Sequence, residues 1–154
     1  MSNLRRMRGQ LPLAGLVLIG ALSAAGCGGG GGSFHSVLVA KLSAAGETDA
    51  AGAAGGSGAA RITMNEETGR VCWTISLRGL SDKPISAHVQ QGKAGKTGAD
   101  AIPLGGTFAR TGCLSAPQKS VSAIGRDPNG YYVNVYTLKY LHGAVRGQLA
   151  AITS

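Results

Sequence analysis

Strict alternation of apolar and polar side chains on both sides of one turn constrains this chain more than any other feature. From Ala60 to Met64, Ala60, Ile62 and Met64 fall on one side, with Arg61 and Thr63 on the other. From Arg70 to Leu77, Val71, Trp73, Ile75 and Leu77 share a side, opposite Cys72, Thr74 and Ser76. A period of two buries one face of a strand; a helix would scatter the same residues around its axis. Between the runs lies Asn65-Glu66-Glu67-Thr68-Gly69, turn chemistry ending in a glycine placed for positive φ. The pattern predicts a β-hairpin whose apolar face enters a core.

The rest of the chain extends the same logic. Phe34 to Leu42 is rich in apolar and β-branched residues and reads as a strand; Ser43 to Gly58 is small and polar, hence a loop. After a turn at Arg78 to Pro84, Ile85 to Gln90 reads as a short strand with Ala87 and Val89 on one face and His88 and Gln90 on the other. Gly92 to Gly98 is a glycine-rich loop, and Ala101 to Leu104 and Thr107 to Leu114 are short strands. Ser115 to Asp127 is the one plausible helix, stopped before Pro128. Asn129-Gly130 turns the chain into a strong strand, Tyr131 to Leu138. Leu141-His142-Gly143 turns it again into a closing strand, Ala144 to Ile152. Short strands at this spacing predict an all-β antiparallel sandwich or barrel with one short helix.

The first 33 residues read as an address. Arg5, Arg6 and Arg8 precede an apolar run, Leu11 to Leu22, and the small residues Ser23-Ala24-Ala25-Gly26 lead into Cys27. A basic start, a short apolar stretch and small residues before a cut site make a secretory signal. The run is interrupted by Pro12 and Gly15 and falls short of the about 20 apolar residues of a spanning helix. Cysteine directly after the cut resembles a bacterial lipoprotein signal, in which that thiol is lipidated. The expected organisation is a signal at 1–26, a flexible glycine-rich tether at 27–33 and one domain at 34–154. That places the domain outside the cytoplasm, held to the cell membrane through lipid on Cys27. With Cys27 so used, Cys72 and Cys113 remain, and in an oxidising compartment two leftover cysteines most simply pair.

Loss of the signal also lowers the formal net charge from +8 to +5. The remaining cations are scattered, without a basic block or interleaved aromatics, which argues against nucleic acid as a partner. Gly92 to Gly98 contains Lys93 and Lys96 but lacks the spacing and following helix of a phosphate loop. No G-x-S-x-G elbow occurs, and no pair of carboxylates is marked for acid–base work. The chain therefore reads as a non-enzyme without a cofactor.

Several segments resemble the CHRD (chordin) domain family. Tyr131 to Leu149, YYVNVYTLKYLHGAVRGQL, is similar to its closing motif, YVNVHT followed by a turn and G-x-x-RGQ-L/I. Leu42 to Glu47 (LSAAGE) resembles the opening L-S-G-x-x-E; Ile62 to Leu80 resembles the hairpin ending in S-G-L. Ala87 to Gly98 resembles the A-H-I-H-x-G-x-x-G-x-x-G segment, and the segments occur in the family's order. The resemblance covers nearly all of Phe34 to Ile152. It implies a Greek-key fold distantly like copper/zinc superoxide dismutase.

The chain departs from that pattern at the imidazoles. Gln90 stands where the second histidine of H-I-H is expected, and Tyr136 where YVNVHT has its histidine. An amide oxygen and a neutral phenol are poor donors for zinc or copper, so no metal is expected. His88 keeps its place, and Gln90 and Tyr136 are expected to hydrogen-bond one another or His88. Asn134 is expected to bond loop backbone. Arg146 has two readings: a rigid fork paired with Glu47 of the opening motif, or a solvent-facing strand residue. Three functions stay open: a lipid-tethered binding module for an envelope protein or glycan, a metal-dependent envelope protein with a remodelled dismutase-like site, and a structural surface protein.

Overall fold

A computed structural model describes residues 35–48 and 51–152. The signal, Cys27, the glycine tether and Phe34 lie outside the described residues. The strands are β1 (His35–Ser43), β2 (Ser57–Asn65), β3 (Arg70–Arg78), β4 (Pro84–Gln91), β5 (Asp100–Pro103), β6 (Thr111–Ser115), β7 (Tyr131–Thr137), β8 (Val145–Gln148) and β9 (Ala150–Ala151). Among the described residues one α-helix, α1 (Gln118–Arg126), joins β6 to β7 through a 3-10 turn. All the strand pairs are antiparallel, in the order β5-β4-β7-β8-β1-β2-β3-β6, with β9 beside β1. The sheet curls strongly on itself, as the all-β expectation requires.

The β2–β3 hairpin forms as its alternation dictates. Ile62 faces Trp73 and Met64 faces Val71 across the ladder, and all four enter the core. Asn65 Oδ1 accepts from the backbone N–H groups of Glu67 and Thr68, which closes the turn, and Gly69 takes φ 72°. Leu38 and Leu42 of β1, Val89 of β4, Val133 and Val135 of β7 and Leu149 fill the same core. Helix α1 contributes Val121 and Ile124, three apart on one face, and leaves its polar face to solvent.

Three connections, β3 to β4, β5 to β6 and β6 to β7 through α1, carry the chain between the halves β5-β4-β7-β8 and β1-β2-β3-β6. The expected strand at Thr107 to Leu114 is shorter than its apolar pattern, because residues 105–110 serve the second crossing instead. Phe108 N–H donates to Ile85 O, and Arg110 O accepts from Ile75 N–H, so this loop touches both ends of the sheet. It also supplies Ala109 O to the indole of Trp73 at 3.0 Å. Trp73 is 6% exposed, and its ring lies over Gly112, where any Cβ would stand 2.4 Å from the indole.

Cys72 and Cys113 are directly opposite on β3 and β6, with Cα atoms 4.0 Å apart, and form a disulfide on the outer face. The bridge clamps the five-residue edge strand β6 to its neighbour. The closing strand is interrupted at Leu149, whose N–H turns to Tyr131 O. Its two parts, β8 and β9, still face β1 at Ser43↔Arg146 and Val39↔Ala150. That seam joins the two halves of the sheet.

Candidate functional site

The ladder β4–β7–β8 stacks polar residues in rungs on its outer face. His88 faces Asn134, which faces Arg146; Gln90 faces Tyr132, which faces Gln148; Ser86 faces Tyr136. Alternation sends Val89, Val133, Val135 and Val145 inward and these residues outward. Outward does not mean exposed here. Tyr132 is 0%, Asn134 3% and Arg146 4% exposed, since loop residues 44–48, 51–56 and 92–98 fold over them.

Arg146 fastens both loops. Its guanidinium donates to Thr48 Oγ1 at 3.2 Å, to Lys93 O at 3.3 Å and to Lys96 O, and it lies 3.4 Å from the centre of the Tyr132 ring. Cation–π contact and carbonyl acceptors together compensate a desolvated guanidinium. Of the two sequence readings, neither holds. The residue is buried rather than facing solvent, and its hydrogen bonds run to a hydroxyl and loop carbonyls rather than to Glu47. The Glu47 carboxylate instead lies against Gly143: a Cβ there would fall 2.4 and 2.5 Å from its oxygens and 2.6 Å from Asn134 Oδ1. Gly143, at φ 135°, is the residue that lets the β7–β8 turn pass so close. Gln148 Nε2 completes the loop ties by donating to Gly92 O, Asn129 O and Tyr131 O at 2.7–2.8 Å. Tyr132 Oη accepts from Gly98 N–H at 3.2 Å.

At the other end of the rungs the polar layer opens. A register shift between Val89 and Gln90 places Asp100 of β5 opposite Gln90. Its two oxygens then serve two neighbours: His88 Nδ1 at 2.7 Å and Gln90 Nε2 at 2.8 Å. Gln90 Oε1 accepts from Asn134 Nδ2 at 3.2 Å, and the same amide nitrogen reaches His142 O at 3.3 Å. Asn134 thus does bond loop backbone. Gln90 and Tyr136 do not simply satisfy one another or His88, as expected; the network runs through Asp100, and Tyr136 tilts its ring against the His88 ring, centroids 5.2 Å apart.

An open cavity of about 330 Å³ lies over this end, lined by Ile85, Ser86, His88, Gln90, Asp100, Tyr136 and Leu141. Partial burial, then the negative charges of Asp100 and Glu47, push the Tyr136 phenol up to about 12, against a smaller opposing hydrogen bond from Asn134. It therefore stays protonated as a neutral donor. These residues do not fit a zinc or copper centre. His88 is the one imidazole lining the groove, and a neutral phenol and an amide oxygen are poor donors beside it. Among the described residues no three His, Cys, Asp or Glu side chains converge. His35 sits at the far end of β1, its Nε2 3.4 Å from Asn65 Nδ2.

Asp100 and Tyr132 went unread in the sequence. The glycine loop ahead of Asp100 and the register shift beside it hide which face it joins. Tyr132 belongs to a strong strand pattern, and only the strand register reveals it beneath Arg146.

Fold and site together define an antiparallel β domain with a loop-covered polar layer on half of its outer surface. The CHRD domain family model matches residues 38–149, and the chain belongs to that family. No curated protein and no solved structure matches it.

Proposed function

We propose that this CHRD domain is a non-catalytic binding module, lipid-anchored through Cys27 on the extracytoplasmic side of a bacterial cell membrane. It holds an envelope protein or glycan in the open groove over β4, β5 and β7. One observation carries the binding role: the groove sets a bonded His88–Asp100–Gln90 cluster and a neutral phenol beside apolar wall. Asp100 is engaged by His88 and Gln90, Tyr136 stays a protonated donor, and Ile85 and Leu141 add apolar wall. Such a surface offers hydrogen bonds and contact area to a bound partner. The location rests on the order of basic, apolar and small residues before Cys27.

Envelope extract passed over the immobilised protein tests the groove. A protein or glycan retained by the wild type and lost from Asp100→Ala is expected; equal retention by both contradicts the groove as the contact surface. Cys27→Ser tests the anchor. Release of the protein, or an unprocessed precursor, is expected; unchanged processing and membrane association contradict it.

A further inference from the structure

We propose that the bare outer face of β1, β2 and β3 lies against an anionic phospholipid membrane, an inference that rests on the anchor at Cys27. The alternation that sends Ile62 and Trp73 inward sends Lys41, Arg61, Arg70 and Arg78 outward, and all four are exposed. None of the outward positions of these three strands holds Asp or Glu. The six described acidic residues lie elsewhere: Glu47, Glu66, Glu67, Asp82, Asp100 and Asp127.

Between these cations the face carries small and apolar side chains, Val37, Val39 and Ala59 beside Thr63, Thr74 and Ser76. An open groove of about 360 Å³ runs between Val39, Lys41, Ala59, Arg61, Thr74 and Ser76. Ile152, 46% exposed, extends it beside β1, where its N–H bonds Val37 O. Small and apolar side chains set among cations, with no carboxylate between them, match the interface of an anionic bilayer, which attracts each Lys or Arg brought near it. Position agrees with charge. β1 begins at His35, so Cys27 is eight residues from the face's first strand. Fully extended, that segment reaches about 28 Å at most. A domain held so short must turn some surface toward the bilayer, and this half is the one that loops leave bare. The docking would turn the His88–Asp100 groove away from the lipid, toward envelope partners.

Amine labelling of Lys41 tests the face, with Lys139 in the β7–β8 turn as internal reference. The full chain is reconstituted in phosphatidylcholine vesicles and in vesicles containing phosphatidylglycerol. Lys41 labelling should fall by roughly fivefold or more in the anionic vesicles at low salt, and recover at high salt. Arg61→Glu with Arg70→Glu should abolish that protection, with the mass of the Cys72–Cys113 peptide pair confirming the fold. Equal labelling in both vesicles overturns the proposal. So does protection that ignores lipid charge or follows protein density, which would mean a second copy on the face. The Cys27→Ser chain with the same vesicles separates the two readings. If it loses attachment to neutral lipid but keeps charge-dependent protection of Lys41, both readings stand. If mass analysis finds Cys27 unmodified in the wild type while the protection persists, the anchor fails and the face stands.

Discussion

On β2 the outward side chains Ala59 and Arg61 meet solvent, whereas on β7 the outward side chains Tyr132 and Asn134 are buried. Inward, the two strands are alike: Ile62 and Met64 on one, Val133 and Val135 on the other, all within one core. The difference lies in what each half adds outside. The half β1-β2-β3-β6 adds a covalent bond, Cys72–Cys113. The half β5-β4-β7-β8 adds hydrogen bonds from Arg146, Gln148, Asn134 and Asp100, and with them two loops and a groove. One sheet is thus stabilised by apolar burial throughout, while loops cover only one of its outer faces.

Changes to the bare half should cost stability and spare the groove. Trp73→Ala should lose about 3–5 kcal/mol in denaturant unfolding, the usual loss for a buried large aromatic. A loss below about 1 kcal/mol would mean that the indole contributes little to the core. Replacing Cys72 and Cys113 together by Ala should cost about 4 kcal/mol by the chain-entropy model for their 41-residue separation. Unfolding of the bridged protein with and without reductant measures it, and an unchanged midpoint would break the assignment of that role to the disulfide.

Changes to the covered half should cost less stability and alter the groove. Asp100→Ala leaves His88 Nδ1 and the mostly buried Gln90 amide without their acceptor, at about 1–3 kcal/mol. The same variant should lose ligand retention, which Cys72→Ala with Cys113→Ala should keep. The smallest effect is alkaline. The Tyr136 phenol is held at about 12 against an ordinary 10.0, so the folded state retains its proton where the unfolded state gives it up. Its contribution to stability is therefore complete below pH 10 and lost as pH rises toward 12. Phenolate absorbance during titration should show a late step that is lost in Tyr136→Phe; identical titration curves would contradict the burial and charge argument.

The bare half was the legible half. Its alternation gave the hairpin, the phase of Trp73 and the turn at Gly69, because a face half in water writes its period into the sequence. The covered half hides that period. Tyr132 carries no sign of its burial, and the pattern around Arg146 leaves a paired fork and a solvent-facing residue equally open; loop residues 44–48, 51–56 and 92–98 bury both, and small glycine-rich loops carry no pattern that tells what they cover. His88, Gln90 and Tyr136 were located by family resemblance, but Asp100 joins them through a register shift that only backbone geometry reveals. The extra length expected at Thr107 arose for a similar reason: apolar residues there serve a crossing rather than a ladder.

Arg146→Met tests the division most directly, since it keeps a long apolar stem and removes every donor. Hydrogen exchange read by mass spectrometry should show protection falling by about tenfold or more in residues 44–56 and 92–98, as loops lose local stability. Strands β2, β3 and β6 should exchange as in the wild type. Unchanged exchange in both loops, or an equal loss across both halves of the sheet, would contradict the account.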